Sequence, residues 1–233
     1  GTPLPTPPSI AVLLPVSTIF NAPEQFETIE IDQQFGSVEL GAQGATALLY
    51  INGLPSSHLT LLGLEAGDGF GRHRTVDLKL PIFSAVSAPD GAHAIVLLKP
   101  PAGSAQPGAF AVVPVAKDLP PKIQGTEALT VPADLTRSEP AMVAIDETRA
   151  LVTVTDHLQL HAAYLVSMPE LVVKKVSLAS EPLPQASGLV PEANQAFVAQ
   201  EHPEGRITFI DLDSGEEHTL TGFELSSKVK NAK

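Results

Sequence analysis

Near the C-terminal end, Asp211-Leu212-Asp213-Ser214-Gly215-Glu216 packs oxygen donors as closely as a calcium loop does. Asp211 and Asp213 are the candidate metal ligands. An EF-hand-like loop needs donors at its first, third and fifth positions, glycine at the sixth and a bidentate acid at the twelfth. Counted from Asp211, the fifth position is Gly215, the sixth Glu216 and the twelfth Gly222, so most of the ligand set is missing. The same residues suit a turn between two strands. In Asp213-Ser214-Gly215, Asp213 is expected to bond its own backbone and Gly215 to supply a positive φ. The turn is the favoured reading, and no metal is assigned.

The remaining motifs carry less chemistry. His157 and His161, in "HLQLH", would pair on a helix as zinc ligands. The segment alternates like a strand, which sets the two side chains about 13 Å apart on one face, too far for one ion. "GDGFG", Gly67 to Gly71, lacks the Gly-x-Gly-x-x-Gly order and is followed by no helix, so it reads as a strand connection. There is no Gly-x-Ser-x-Gly elbow and no assignable triad. Glu139, Asp146, Glu147 and Asp156 fall mostly in loops, where solvation is the default role. No catalytic residue and no cofactor is therefore assigned.

The elements that would position any site are short. Of 233 residues, 43% are hydrophobic and 17% charged, with 22 prolines and 17 glycines spread along the chain. That composition buries a sizeable core and breaks it with many turns. The net charge of −12 opposes nucleic acid and anionic membranes as partners. The densest basic cluster, Arg72, Arg74 and Lys79, is too small to reverse this. Without cysteine, disulfides and thiolate sites are excluded. The longest apolar run, Ile10 to Val16, is broken by Pro15 and falls well short of the ~18 residues of a membrane span. The head "GTPLPTPPS" reads as an extended linker, residues 1–9. It suits the stretch after a cleaved signal peptide or a lipid anchor, although a cloning scar fits as well. A chain opening on glycine is expected to be processed, engineered or incomplete.

The chain repeats. "GAQGATALLYI", "PDGAHAIVLLK", "DETRALVTVT" and "EANQAFVAQE" share a turn followed by a small-apolar run, marked by Ala47, Ala94, Ala150 and Ala196. Their spacing of about 46 to 56 residues matches propeller blades or helical arrays. After each marked run come two more, such as "RITFIDLD" then "EEHTLTGFEL", rich in Val, Ile, Leu and Thr and bounded by Gly, Pro and Asp. These are strands, because no helical period is sustained. The first two runs are apolar on both faces, whereas the third alternates: Val76, Leu78 and Leu80 against Asp77 and Lys79. "FETIEID" precedes "FGSVELGAQG" as "RTVDLKLP" precedes "IFSAVSAPDG", which extends the repeat toward the N-terminus.

"SAPDGAHAIVLL" and "GRITFIDLDSGEEHTL" resemble blades of bacterial YVTN-type and WD-repeat-like β-propellers, over Phe35 to Leu225. The Trp-Asp signature is absent, since the chain has no tryptophan. The resemblance implies an all-β propeller with about four blades of four-stranded antiparallel sheet, at roughly residues 35–81, 82–132, 133–180 and 181–227. A partial blade covers 10–34 and a tail 228–233, so the propeller runs over 10–227. Such propellers close with six to eight blades. The chain is then part of a larger ring, a small four- or five-bladed ring, or an open stack completed by a partner.

The expected function is a non-enzymatic, rigid platform for a protein partner, exported to the periplasm, the outer membrane or the cell exterior, with the cytoplasm as alternative. A propeller enzyme, lactonase-like or quinoprotein-like, is the second reading. It needs polar groups from several blades converging at the channel mouth. A structural subunit of an obligate complex is the third.

Overall fold

Runs of Val, Ile, Leu, Ala and Thr that are apolar on both sides can be buried only between two other layers, and this governs the architecture. The computed structural model describes residues 8–17, 19–41, 44–65, 69–99, 108–125, 142–155, 161–178 and 184–222. A two-stranded ribbon comes first, from β1 (Ser9–Leu13) and β2 (Glu27–Ile31). The first four-stranded sheet holds β3 (Ser37–Leu40), β4 (Thr46–Tyr50), β5 (His58–Gly63) and β6 (His73–Asp77). The second holds β7 (Ile82–Ser87), β8 (His93–Leu98), β9 (Ala109–Pro114) and β10 (Lys122–Gly125). The third holds β11 (Met142–Ile145), β12 (Arg149–Thr155), β13 (His161–Ser167) and β14 (Val172–Ser177). The fourth holds β15 (Pro184–Val190), β16 (Gln195–Gln200), β17 (Arg206–Asp211) and β18 (Glu217–Thr221). Each is an antiparallel meander with strands side by side in chain order.

The sheets stack face to face in the order of the chain. Leu48, Leu59 and Leu61 of the first sheet pack on Val96, Ala111 and Val113 of the second. On the other face of the second sheet, Ile95, Phe110 and Val112 meet Val152, Tyr164 and Val166 of the third. Leu151, Ala163 and Leu165 of the third then meet Ala196, Val198 and Ile210 of the fourth. The ribbon closes on the first sheet, with Ala11 and Ile31 against Ala47, Leu49 and Leu62. This is the blade-on-blade packing of a β-propeller, with four full sheets and a partial one.

The strand β9 shows why the pattern is apolar throughout: all of "AFAVVP" is buried, with alternate residues serving different interfaces. Outer strands behave differently. β6 alternates exposed and half-buried residues, because only one of its faces meets a neighbour. Buried hydroxyls recur on the third strand of a sheet and bond the fourth. Thr60 Oγ1 lies 2.9 Å from Thr75 Oγ1, and Thr208 Oγ1 lies 2.9 Å from Thr219 Oγ1. Glycine is required once where strands end, since a Cβ on Gly63 would overlap the Gly69 carbonyl oxygen.

The edge-to-face contact of Phe110 with Tyr164, centroids 5.5 Å apart, sits in the middle of the stack. Phe110→Ala is expected to cost about 3–5 kcal/mol, read as a lower urea midpoint. Val172→Ala, on the exposed outer strand of the third sheet, is expected to change stability by about 0.5 kcal/mol or less.

Candidate functional site

Antiparallel order puts two kinds of turn on one rim of the stack: those joining first to second strands and those joining third to fourth. A backbone bond links the two kinds in every sheet. The amide just past the third strand donates to a carbonyl in the first turn: Leu64 to Ala45 (2.8 Å), Val115 to Ala92 (2.8 Å), Met168 to Thr148 (2.8 Å) and Leu212 to Asn194 (3.0 Å). Each acceptor stands just before the buried alanine that marks its repeat, Ala47, Ala94, Ala150 or Ala196. The sequence period is thus also the period of a latched rim.

Local chemistry shapes each turn. Asp90 Oδ1 accepts from the Ala92 amide at 2.8 Å. Asp146 Oδ1 accepts from the Thr148 and Arg149 amides at 2.8 and 2.6 Å. In the fourth sheet Asn194 takes the left-handed conformation (φ 53), and its amide donates to the Pro191 carbonyl. Side chains then link the third sheet to the fourth. Arg149 Nε stands 3.7 Å from Asp146 Oδ2, and its guanidinium donates to Asn194 Oδ1 at 3.4 Å. Asn194 Nδ2 donates onward to Asp213 Oδ2 at 2.9 Å and Asp211 Oδ2 at 3.3 Å.

Asp211 and Asp213 therefore sit at the end of β17 and in the turn after it. Asp211 holds the turn itself: its Oδ1 accepts from the Asp213 amide (3.0 Å), the Ser214 amide (2.7 Å) and the Ser214 hydroxyl (2.9 Å). The Ser214 amide, then its hydroxyl, hold the Asp211 carboxyl below its ordinary value. The turn aspartate is thus Asp211, and Asp213 is fixed by Asn194 from the neighbouring turn. Gly215 takes φ 65, where a Cβ would also strike the Lys174 side chain of the third sheet. Among the described residues no group of three His, Cys, Asp or Glu could hold a metal.

The other sequence candidates are dispersed. Asp146 and Glu147 lie in the turn between β11 and β12, whereas Glu139, Asp156 and His157 lie outside the described residues. His161 begins β13, and Gly69 and Gly71 lie in the connection from β5 to β6. Arg74 joins two sheets, donating to the Pro114 and Lys117 carbonyls at 2.5 and 2.8 Å and pairing with Asp118 at 3.2 Å. Asp77, near the opposite rim, is held far below the usual carboxylate range by the Lys79 ammonium, the Ser57 hydroxyl and the Lys79 amide. Sequence reasoning missed Arg149 and Asn194 as rim residues, because nothing local marks a bond between successive repeats.

Exposed rim residues are mostly acidic: Glu65, Asp90, Asp118, Glu147, Glu170, Glu192, Asp213 and Glu216, against Arg72 and Lys117. The rim is a polar surface of negative charge, and its linked titratable groups are Asp146, Arg149, Asp211 and Asp213, joined through Asn194. Among those residues, too, no helix is long and apolar enough to cross a membrane.

Neither a family profile nor a curated sequence matches the chain. Solved structures do. Dihydro-heme d1 dehydrogenase NirN, solved in complex with DHE, matches with TM-score 0.52 and 11% identity over 85% of this chain and 40% of that one. A protein assigned as a 6-phosphogluconolactonase from Bacteroides fragilis matches with TM-score 0.51 and 11% identity over 82% of this chain and 56% of that one. The chain thus spans 40% and 56% of the length of these two proteins.

The depressed Asp211 carboxyl sets a pH dependence. Its contribution to stability is full above the unfolded carboxylate pKa of about 3.9 and is lost as pH falls through the lower folded value. Asp211→Asn is expected to lower the melting temperature at pH 7 and to reduce its acid-induced fall below about pH 4, read by thermal melts across pH. At such low identity the structural likenesses bear on fold alone, and the fold they share with this chain is the β-propeller.

Proposed function

We propose that the latched rim is a protein-binding surface and that the propeller works as a rigid, non-enzymatic platform. The observation that carries this reading is the repeated latch, which fixes the turns within each of the four sheets on a rim that the packing between sheets holds together. A surface ordered before binding loses little conformational entropy on association. Its exposed carboxylates suit a partner with a basic face, which they would steer and orient. In this reading the partner meets the protein outside the cytoplasm, with the cytoplasm as the alternative compartment. The enzymatic names among the solved structures stay with those proteins, since at 11% identity the likeness bears on fold alone.

Reversing rim charge tests the proposal. Glu147→Lys with Glu192→Lys is expected to weaken capture of the native partner by about tenfold or more, chiefly through the association rate, and to flatten its salt dependence. Glu201→Lys, on the opposite rim, is expected to leave capture unchanged. Equal effects from both rims, or none from either, would sink the proposal. Both are read by binding kinetics at two ionic strengths against the crosslinked and identified partner.

A further inference from the structure

Asn52-Gly53 is the one asparagine–glycine pair in the chain. It follows β4, in the connection to β5, on the rim opposite the latches. In any asparagine the backbone nitrogen of the next residue can attack the carbonyl carbon of the side chain. Glycine in the next position presents no Cβ to hinder the attack and lets the backbone rotate into line. The fold decides whether a given pair reacts, because a buried or hydrogen-bonded backbone cannot rotate.

Both residues are exposed and lie in a bend. Among the described residues the Gly53 amide donates no hydrogen bond, so its nitrogen is open to solvent and to deprotonation. Gly53 does not take a positive φ, and a Cβ there would meet nothing within 4 Å, so the connection does not require glycine. Ser37 of β3 donates its hydroxyl to Asn52 Oδ1 at 3.2 Å. That oxygen takes up negative charge when Cγ is attacked, and the hydroxyl stabilises the charge. The other asparagines are placed differently. Asn194 is half-buried, its Nδ2 given to Asp211 and Asp213 and its Oδ1 bonded by Arg149, and the next residue, Gln195, opens β16. Asn21 precedes Ala22, whose Cβ obstructs the attack. Asn231 lies outside the described residues.

We propose that Asn52 is a site of spontaneous deamidation and isoaspartate formation, assisted by the Ser37 hydroxyl. The Gly53 nitrogen gives its proton to hydroxide and forms a bond to Asn52 Cγ. The Cγ–Nδ2 bond breaks, and Nδ2 takes a proton from water and leaves as ammonia. A succinimide ring remains. Water opens it at one of its two carbonyls, which leaves aspartate at position 52 or an isoaspartyl link whose main chain runs through Cγ. Either product adds a negative charge to a chain already at −12. The isoaspartyl link also lengthens the connection between β4 and β5 by one backbone atom. The site lies away from the latched rim, so this inference and the binding role fail separately.

Incubation of the intact protein in mildly alkaline buffer, followed by peptide mass spectrometry, tests it. The peptide holding Asn52 is expected to turn from amide to acid at a rate within about tenfold of a free peptide of the same sequence. Conversion is expected to quicken as pH rises, and isoaspartate is expected at position 52 by methylation with an isoaspartyl methyltransferase. Gly53→Ala is expected to slow conversion about tenfold or more, with the melting temperature unchanged. Ser37→Ala is expected to slow it about two- to tenfold, the worth of one hydrogen bond. Conversion in the folded protein more than about tenfold slower than in the peptide would overturn the site, as would faster conversion at Asn21 or Asn194. Conversion of Ser37→Ala at the unmutated rate or faster would overturn the part given to Ser37.

Discussion

Burial on both faces of each sheet is the constraint from which the rest follows. A strand such as β9, apolar at every position, has no side that tolerates water, so its sheet needs a neighbour before and after it. Meanders joined in chain order meet that need by stacking each on the last. The stack in turn forces the outer strands to be mixed in polarity, because only one of their faces is covered. It also explains the ribbon: two strands cover the outer part of the first sheet, and the inner part stays bare.

The rim is the second level of the same arrangement. Packing fixes where the sheets lie, and the latches fix how their turns lie. Leu64, Val115, Met168 and Leu212 donate equivalent bonds, although the turns they hold differ in sequence and use different devices. Asp90 and Asp146 cap with carboxylates, while Asn194 adopts the left-handed conformation. The turn sequence is thus free to drift from "PDG" to "DET" to "EAN" while the backbone geometry is kept. That freedom makes the rim suited to carrying specificity on a constant frame.

The periodic apolar content was legible in the sequence, and the long-range polar content was not. Ala47, Ala94, Ala150 and Ala196 announce the second strands because small apolar residues recur where sheets approach closely, and all four are buried. First strands are harder to read. β15, "PQASGLV", carries a proline and Gly188, whose missing Cβ makes room for the Phe197 ring on the next strand, so neither residue looks like a strand former. The hairpin after β17 was readable as a turn, but its anchor is Asp211, with Asp213 held by Asn194 from another turn. The latches themselves are backbone bonds and leave no residue signature at all. No motif marks them.

The central claim is that one backbone latch, repeated within each of the four packed sheets, holds the turns of the rim rigid. Amide exchange at Leu64, Val115, Met168 and Leu212 tests it most directly. The account expects all four amides to exchange as slowly as those inside β5 and β9. Exchange of these amides at the rate of open loops, with the strands still protected, would contradict it.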